Sequence, residues 1–247
     1  MEEYQILKKA PITEALIDIR VKLPSELDVK KIDSIHESIK EQYPEKQEQK
    51  VPEVKVELKP GEELIKQLTK INGYRYISSD KKQIVQARLD GFTFSRLHPY
   101  TKWEELRNEA HRLWLLYKGI TSPDSIVRVA LRYINNLNIP LPIRDFGDYL
   151  TAPPIVPEEL PQGVSSFLTR VIIYEPSIGA NAIITQALES IVSETAPVPV
   201  ILDIDVFKLR PEGIEEREVW DIIEKLRHFK NRIFFKSITN KLKENYQ

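Results

Sequence analysis

Four arginines and four aspartates stand where strands are expected, at a spacing that would gather them. Arg88 follows Val85 and Ala87, with Asp90 two residues on. Arg128 and Arg132 lie among Val127, Val129, Leu131 and Tyr133. Asp203 and Asp205 alternate with Leu202, Ile204 and Val206, and Asp18 and Arg20 stand two apart near the start. Alternation at period two puts the charges on one sheet face and the apolar residues on the other. Arg20, Arg88, Arg128 and Arg132 would offer phosphate several directed donors. Asp203 and Asp205 would hold a divalent cation, Mg²⁺ being the natural one beside phosphate, or orient the arginines. The set suits a phosphorylated small molecule in a sheet groove. If catalysis occurs there, phosphoryl transfer or phosphate hydrolysis is the least arbitrary class. Solvent-facing salt bridges give the same pattern, because charge alternation is a weak signature. Asn135 or Asn136 would orient a ligand or end a strand, and ending strands is the commoner use of Asn.

Other chemistry is thinly represented. Cysteine is absent, which removes disulfides, thiol catalysis and cysteine-built metal sites. The four histidines, His36, His98, His111 and His228, have no zinc-motif spacing. There is no phosphate-cradling loop, no dinucleotide fingerprint and no readable nucleophile context for a serine. Lys225, Arg227, Lys230, Arg232 and Lys236 form a basic segment interspersed with Phe229, Phe234 and Phe235. Such a segment would contact single-stranded nucleic acid through phosphates and stacked bases. Core packing explains those aromatics better, because they sit inside an apolar pattern.

The elements that must position these residues follow from periodicity. Ile12–Leu23 reads as a strand, and Asp28 caps a helix striped by Val29, Ile32, Ile35 and Ile39. Val51–Leu58 reads as a strand and Glu62–Thr69 as a short helix or turn. Gly73–Ser78 and Gln83–Leu97 read as paired strands. Thr101 to Glu104 has capping-box spacing before a helix over 102–118, and Gly119 is its candidate C-cap. Further strands are expected at Ser125–Leu137, Ser166–Tyr174, Ala180–Ala187 and Val198–Leu209. The proline-rich stretch from Pro140 to Pro161 is a connector with one short turn near Asp145–Leu150, and Glu215–Phe229 is a helix. The expected fold is α+β: a curved, mostly antiparallel sheet from two β-α-β-β-β-α-like halves, 1–122 and 123–247. Their long helices would pack on one face. Two separate α+β domains are the alternative.

The chain of 247 residues suffices for such a core, and 41% hydrophobic content with 30% charge is globular. A net charge of -1 gives no global argument for nucleic acid. Met1-Glu2-Glu3-Tyr4 does not read as the start of a secretion signal, and no apolar run approaches the roughly 20 residues of a membrane helix. The expectation is a soluble cytoplasmic protein with no membrane partner.

Several segments together resemble an uncharacterised, sporadically distributed family of prokaryotic proteins. They are Pro11–Ala15, Asp90–Leu97, Leu131–Asn135, Leu202–Val206 and Phe234–Thr239. The resemblance spans nearly the whole chain and implies one recurring unit. No established activity is attached to that family, so it transfers no site. The functional readings in order are a non-catalytic binding or interaction protein, self-associating through a sheet edge or an aromatic helix face; a phosphate-ligand binder or metal-dependent phosphohydrolase; and a single-stranded nucleic-acid binder.

Overall fold

The structure, a computed structural model, describes residues 7–59, 62–189 and 197–247. The first residues, on which the expectation of no leader rests, lie outside them. The elements in order are β1 (Ile12–Lys22), α1 (Val29–Asp33), α2 (Ile35–Ile39), β2 (Glu45–Lys59), β3 (Glu62–Ile77), β4 (Gln83–Arg88) and β5 (Gly91–Leu97). Then come α3 (Trp103–Thr121), β6 (Ser125–Ile139), β7 (Phe167–Glu175), β8 (Ala180–Leu188), β9 (Val198–Ile214), α4 (Glu216–Ser237) and α5 (Asn240–Glu244).

The nine strands form one antiparallel sheet in the order β2-β3-β4-β5-β1-β6-β9-β8-β7. Both halves of the chain therefore share it, joined at β1 and β6, where Ile17 faces Leu131 and Ile19 faces Val129. Odd-numbered residues of β1 point into the core: Ala15, Ile17 and Ile19 have no exposure. Burying each such isoleucine contributes about 1.5–3 kcal/mol.

The helices cover that same face. Trp114 of α3 meets Phe92 with ring centroids 6.0 Å apart, and Phe92 stands opposite Ile19. Lys230 of α4 lies 3.8 Å from the ring centroid of Tyr133, which stands opposite Ala15. His36 of α2 stacks on Tyr76 of β3 at 5.2 Å. The Tyr117 hydroxyl donates to the Arg88 carbonyl oxygen at 2.8 Å, tying α3 to the end of β4. The opposite face, which carries the charged alternation, has no helix packed on it among the described residues. No described helix is long and apolar enough to cross a membrane.

Several elements differ from the sequence expectation. Residues 62–69 are strand, because β3 pairs with β2 from Glu62↔Lys59 to Ile77↔Glu45. That ladder overrides a local preference for helix-forming residues. The run 83–97 is two strands, turned at Leu89 and Asp90. The first half thus has four strands after β1, not three. The helix over 29–39 is split at Ser34, although Asp28 does cap it by accepting from the Lys30 amide at 2.9 Å. The capping box does not form: Lys102 is the N-cap with no side-chain cap bond, and Thr101 donates to Glu105 instead. The helix runs past Gly119 and ends at Ser122, which takes the left-handed conformation. In the connector, Asp145 caps a single 3₁₀ turn at Phe146–Asp148. The α4 helix continues to Ser237, so Ile233, Phe234 and Phe235 belong to it.

Two glycines test this packing. A Cβ on Gly73 would lie 2.2 Å from the Ala87 carbonyl oxygen and 2.6 Å from the Arg88 Cα, both backbone. A Cβ on Gly119 meets nothing within 4 Å. Gly73→Ala is expected to cost about 1–3 kcal/mol. Gly119→Ala, inside α3, should gain up to about 1 kcal/mol. Urea unfolding of both variants measures the contrast.

Candidate functional site

The charged alternation becomes a continuous ladder on the helix-free face. Its centre is Asp18, only 6% exposed. One carboxylate oxygen accepts from Arg20 Nε at 3.0 Å and from an Arg128 terminal nitrogen at 2.9 Å. The other accepts from the Thr93 hydroxyl at 2.7 Å and from Arg88 at 3.3 Å. Arg88 is equally enclosed, and it also donates to Thr93 at 2.9 Å, Gln86 at 3.0 Å and Asp90 at 3.1 Å. Arg20 closes the loop by donating to Asp90.

Toward the second half, the other terminal nitrogen of Arg128 donates to both oxygens of Asp205 at 2.9 and 3.2 Å, and the guanidinium lies over the Phe207 ring at 4.5 Å. Arg132 forks onto Asp203 at 2.8 and 2.5 Å. Period two explains the shared face, and strand register supplies the reach: Arg20 faces Arg128, and Arg132 faces Asp205.

The electrostatics are those of mutual pairing. Burial works against the charge on Arg20, yet Asp18 and Asp90 raise its pKa. The hydrogen bond that Arg132 donates to Asp203 leads the rise in the Arg132 pKa. Burial opposes ionisation of Asp90, but Arg20 and Arg88 hold its pKa below the ordinary value. At Asp205 burial wins over Arg128 and Arg132, and its pKa is pushed up. Four guanidiniums therefore face four carboxylates, with no surplus charge in the set. A phosphate placed on this ladder has to displace a carboxylate. The most open arginine of the four is Arg132, its side chain being 41% exposed. Asp203 and Asp205 are each already taken by an arginine. Among the described residues no three His, Cys, Asp or Glu side chains converge in a way that would hold a metal ion.

The structure does not bring Asn135 to the arginines. It lies on the helix face, buried, donating to the Leu202 carbonyl at 3.0 Å. In the basic C-terminal segment, Phe229 and Phe234 are buried, and Arg232 bonds Glu175. Thr93, Gln86 and Asn72, the last 3.3 Å from Asp90, complete the ladder and were not singled out by sequence. Uncharged, in strands or turns, they carry no pattern that would mark them.

The two edges of the sheet differ. Strand β2 has eight Lys and Glu residues and Pro52 in its 15 positions. Strand β7, FLTRVIIYE, has one Arg, one Glu and no proline or lysine. Its Leu168, Val171, Ile172, Ile173 and Tyr174 stand open at 73, 54, 62, 37 and 62% exposure. Ile172 lies opposite Ile183, which lies opposite Asp205. The helix-free face thus passes from the charged ladder to an apolar margin, and that margin ends in a strand edge that no other described strand pairs with.

Removing Asp18 leaves Arg88 buried without its carboxylate, so Asp18→Ala is expected to cost about 3–5 kcal/mol. Arg132→Ala breaks an accessible pair and should cost about 1 kcal/mol or less. Denaturant midpoints of the two variants distinguish a ladder anchored at Asp18 from charges acting independently. Compared with known proteins, the chain matches no family model and no curated protein.

Proposed function

We propose that this protein is a non-catalytic interaction protein that acts as a self-associated pair joined through β7. The observation that carries the reading is the contrast between the edges. Exposed strand edges template pairing with other chains, and charges and proline are the usual protection. Strand β2 has that protection and β7 lacks it.

A second copy suits this edge by its own symmetry. Antiparallel pairing about a two-fold axis keeps each face matched to itself. Centred on Ile172, it sets Ile172 against its copy, Val171 against Ile173, and Arg170 against Tyr174. No like charges oppose one another, and cross-strand apolar and cation–aromatic pairs are favourable. Glu175 is held by Arg232 and Ser177 within its own chain.

Two finer features of the fold belong to the same reading. Outward from β1 the strands run β5, β4, β3, β2, and outward from β6 they run β9, β8, β7. This parallel ordering supports descent from a duplicated unit. Curvature of the sheet is supported by irregular register at Arg20/Val21, Gln49/Lys50 and Ile126/Arg128, since bulges bend strands. It is supported too by the enclosure of Asp18 on a face without helices.

Sedimentation equilibrium over about 1–100 μM is expected to show a dimer whose fraction rises with concentration. Ile172→Lys should return it to monomer while shifting Tm by less than about 2 °C, since the side chain is exposed in the single chain. A chain that stays monomeric throughout, or an Ile172→Lys dimer as tight as the parent, overturns the proposal.

A further inference from the structure

On the helix face, a cavity of about 500 Å³ lies between the N-terminal segment, the start of α3, β6 and α4. That size suits a small ligand. Ile12, Tyr100, Tyr133 and Phe234 give it apolar walls. Its polar groups are mostly cationic or neutral, with Arg227, Lys230 and Asn231 from α4 and Asn135 from β6.

Lys230 is the anomaly. It is 8% exposed, yet it makes no hydrogen bond or ion pair among the described residues. Its one close partner is the Tyr133 ring, at 3.8 Å. A ring face compensates a buried ammonium only in part, and a buried cation without a counter-charge is costly. The surroundings add no relief. Arg227 lines the same cavity, stacked over Trp103 at 5.1 Å. The first turn of α3 borders it, and the acidic groups there, Glu104 and Glu105, sit with the α3 dipole and make no bond to Lys230.

We propose that this cavity binds a small organic anion, a carboxylate or phosphate ester on an aromatic or short aliphatic body, with the Lys230 ammonium as its counter-charge. The body would lie on Tyr100, Tyr133 and Phe234, and the anionic end would meet Lys230 near the start of α3. The site is separate from the β7 edge and does not depend on self-association.

Protonation gives the proposal a signature. Burial, then Arg227, lowers the Lys230 pKa to about 7. The other titratable or charged groups around it are Tyr100, Tyr133, Arg227, Lys8, Lys102 and Glu104. Burial pushes both tyrosines up, away from neutrality. An anion that needs the charged amine should therefore bind about 100-fold more weakly at pH 9 than at pH 6. Because the folded-state pKa lies below the unfolded one, Lys230 costs stability in full below about pH 7. That cost is relieved as pH rises toward the ordinary lysine value.

The test is calorimetric titration of the full chain with benzoate and with phenyl phosphate at pH 6 and pH 9. Saturable binding at pH 6 by either probe, weakened about 100-fold at pH 9, is expected. The probe preferred identifies the class of anion. Lys230→Met should abolish binding and raise Tm at pH 6, and should raise it by less than half as much at pH 9. Ala10→Phe, which fills the cavity and keeps Lys230, should also abolish it, so the test stands even if Lys230→Met fails to fold. No saturable binding of either probe at pH 6, equal affinity at the two pH values, or binding retained in Lys230→Met overturns the proposal.

Discussion

A carboxylate in the middle of a sheet has to be answered from several strands at once. Asp18 sits on β1, the strand at the junction of the two halves, and is nearly enclosed. Left unpaired, a buried carboxylate would cost several kcal/mol. Its four donors come from β1 itself, β4, β5 and β6. Satisfying this one group therefore fixes how both halves approach each other, and Arg128 passes the constraint on to Asp205 in β9. The ladder makes a face without helices compatible with water, because its charges are matched locally while the apolar residues turn to the other side.

The two faces and two edges then take different roles. The helix face holds the core and, at one end, the cavity with Lys230. The open face is self-paired along its charged centre and apolar at its β7 margin. The β2 edge is protected by charge and proline, and the β7 edge is not. Regions where stability alone would choose differently stand out against this economy. A methionine at position 230 would pack without a desolvated charge, and a lysine in β7 would protect its edge. Retention of the less stable choice is expected where a ligand or a partner completes the structure.

Most of the elements were legible in the chain, for reasons that differ from residue to residue. Alternation in β1, β6 and β9 is marked, because one side of each strand is core and the other is ladder, although Leu16, Ala130 and Phe207 share the ladder's side. The Asp28 cap was readable, because a side-chain oxygen placed just before a helical turn acts locally, and so was a short turn near Asp145, though not its cap. Residues 62–69 misled, because helix-forming residues there are recruited into a ladder by β2, and pairing partners are not written into a local window. The Thr101 and Gly119 signals misled as well. Helix α3 begins at buried Trp103 and continues to Ser122, where the chain turns left-handed.

The sequence by itself determined the α+β composition, the faces of the strands and the charged members of the ladder, because period-two alternation is a property of the backbone. Only the tertiary structure decided which strand became a bare edge, that each arginine of the ladder already has its aspartate, that Asn135 lies on the far face from them, and that Lys230 is enclosed without a counter-charge. The physical reason is that pairing order, register and burial arise from contacts between residues far apart in the chain. A lysine in a basic helical segment reads the same whether it meets water or the inside of a cavity.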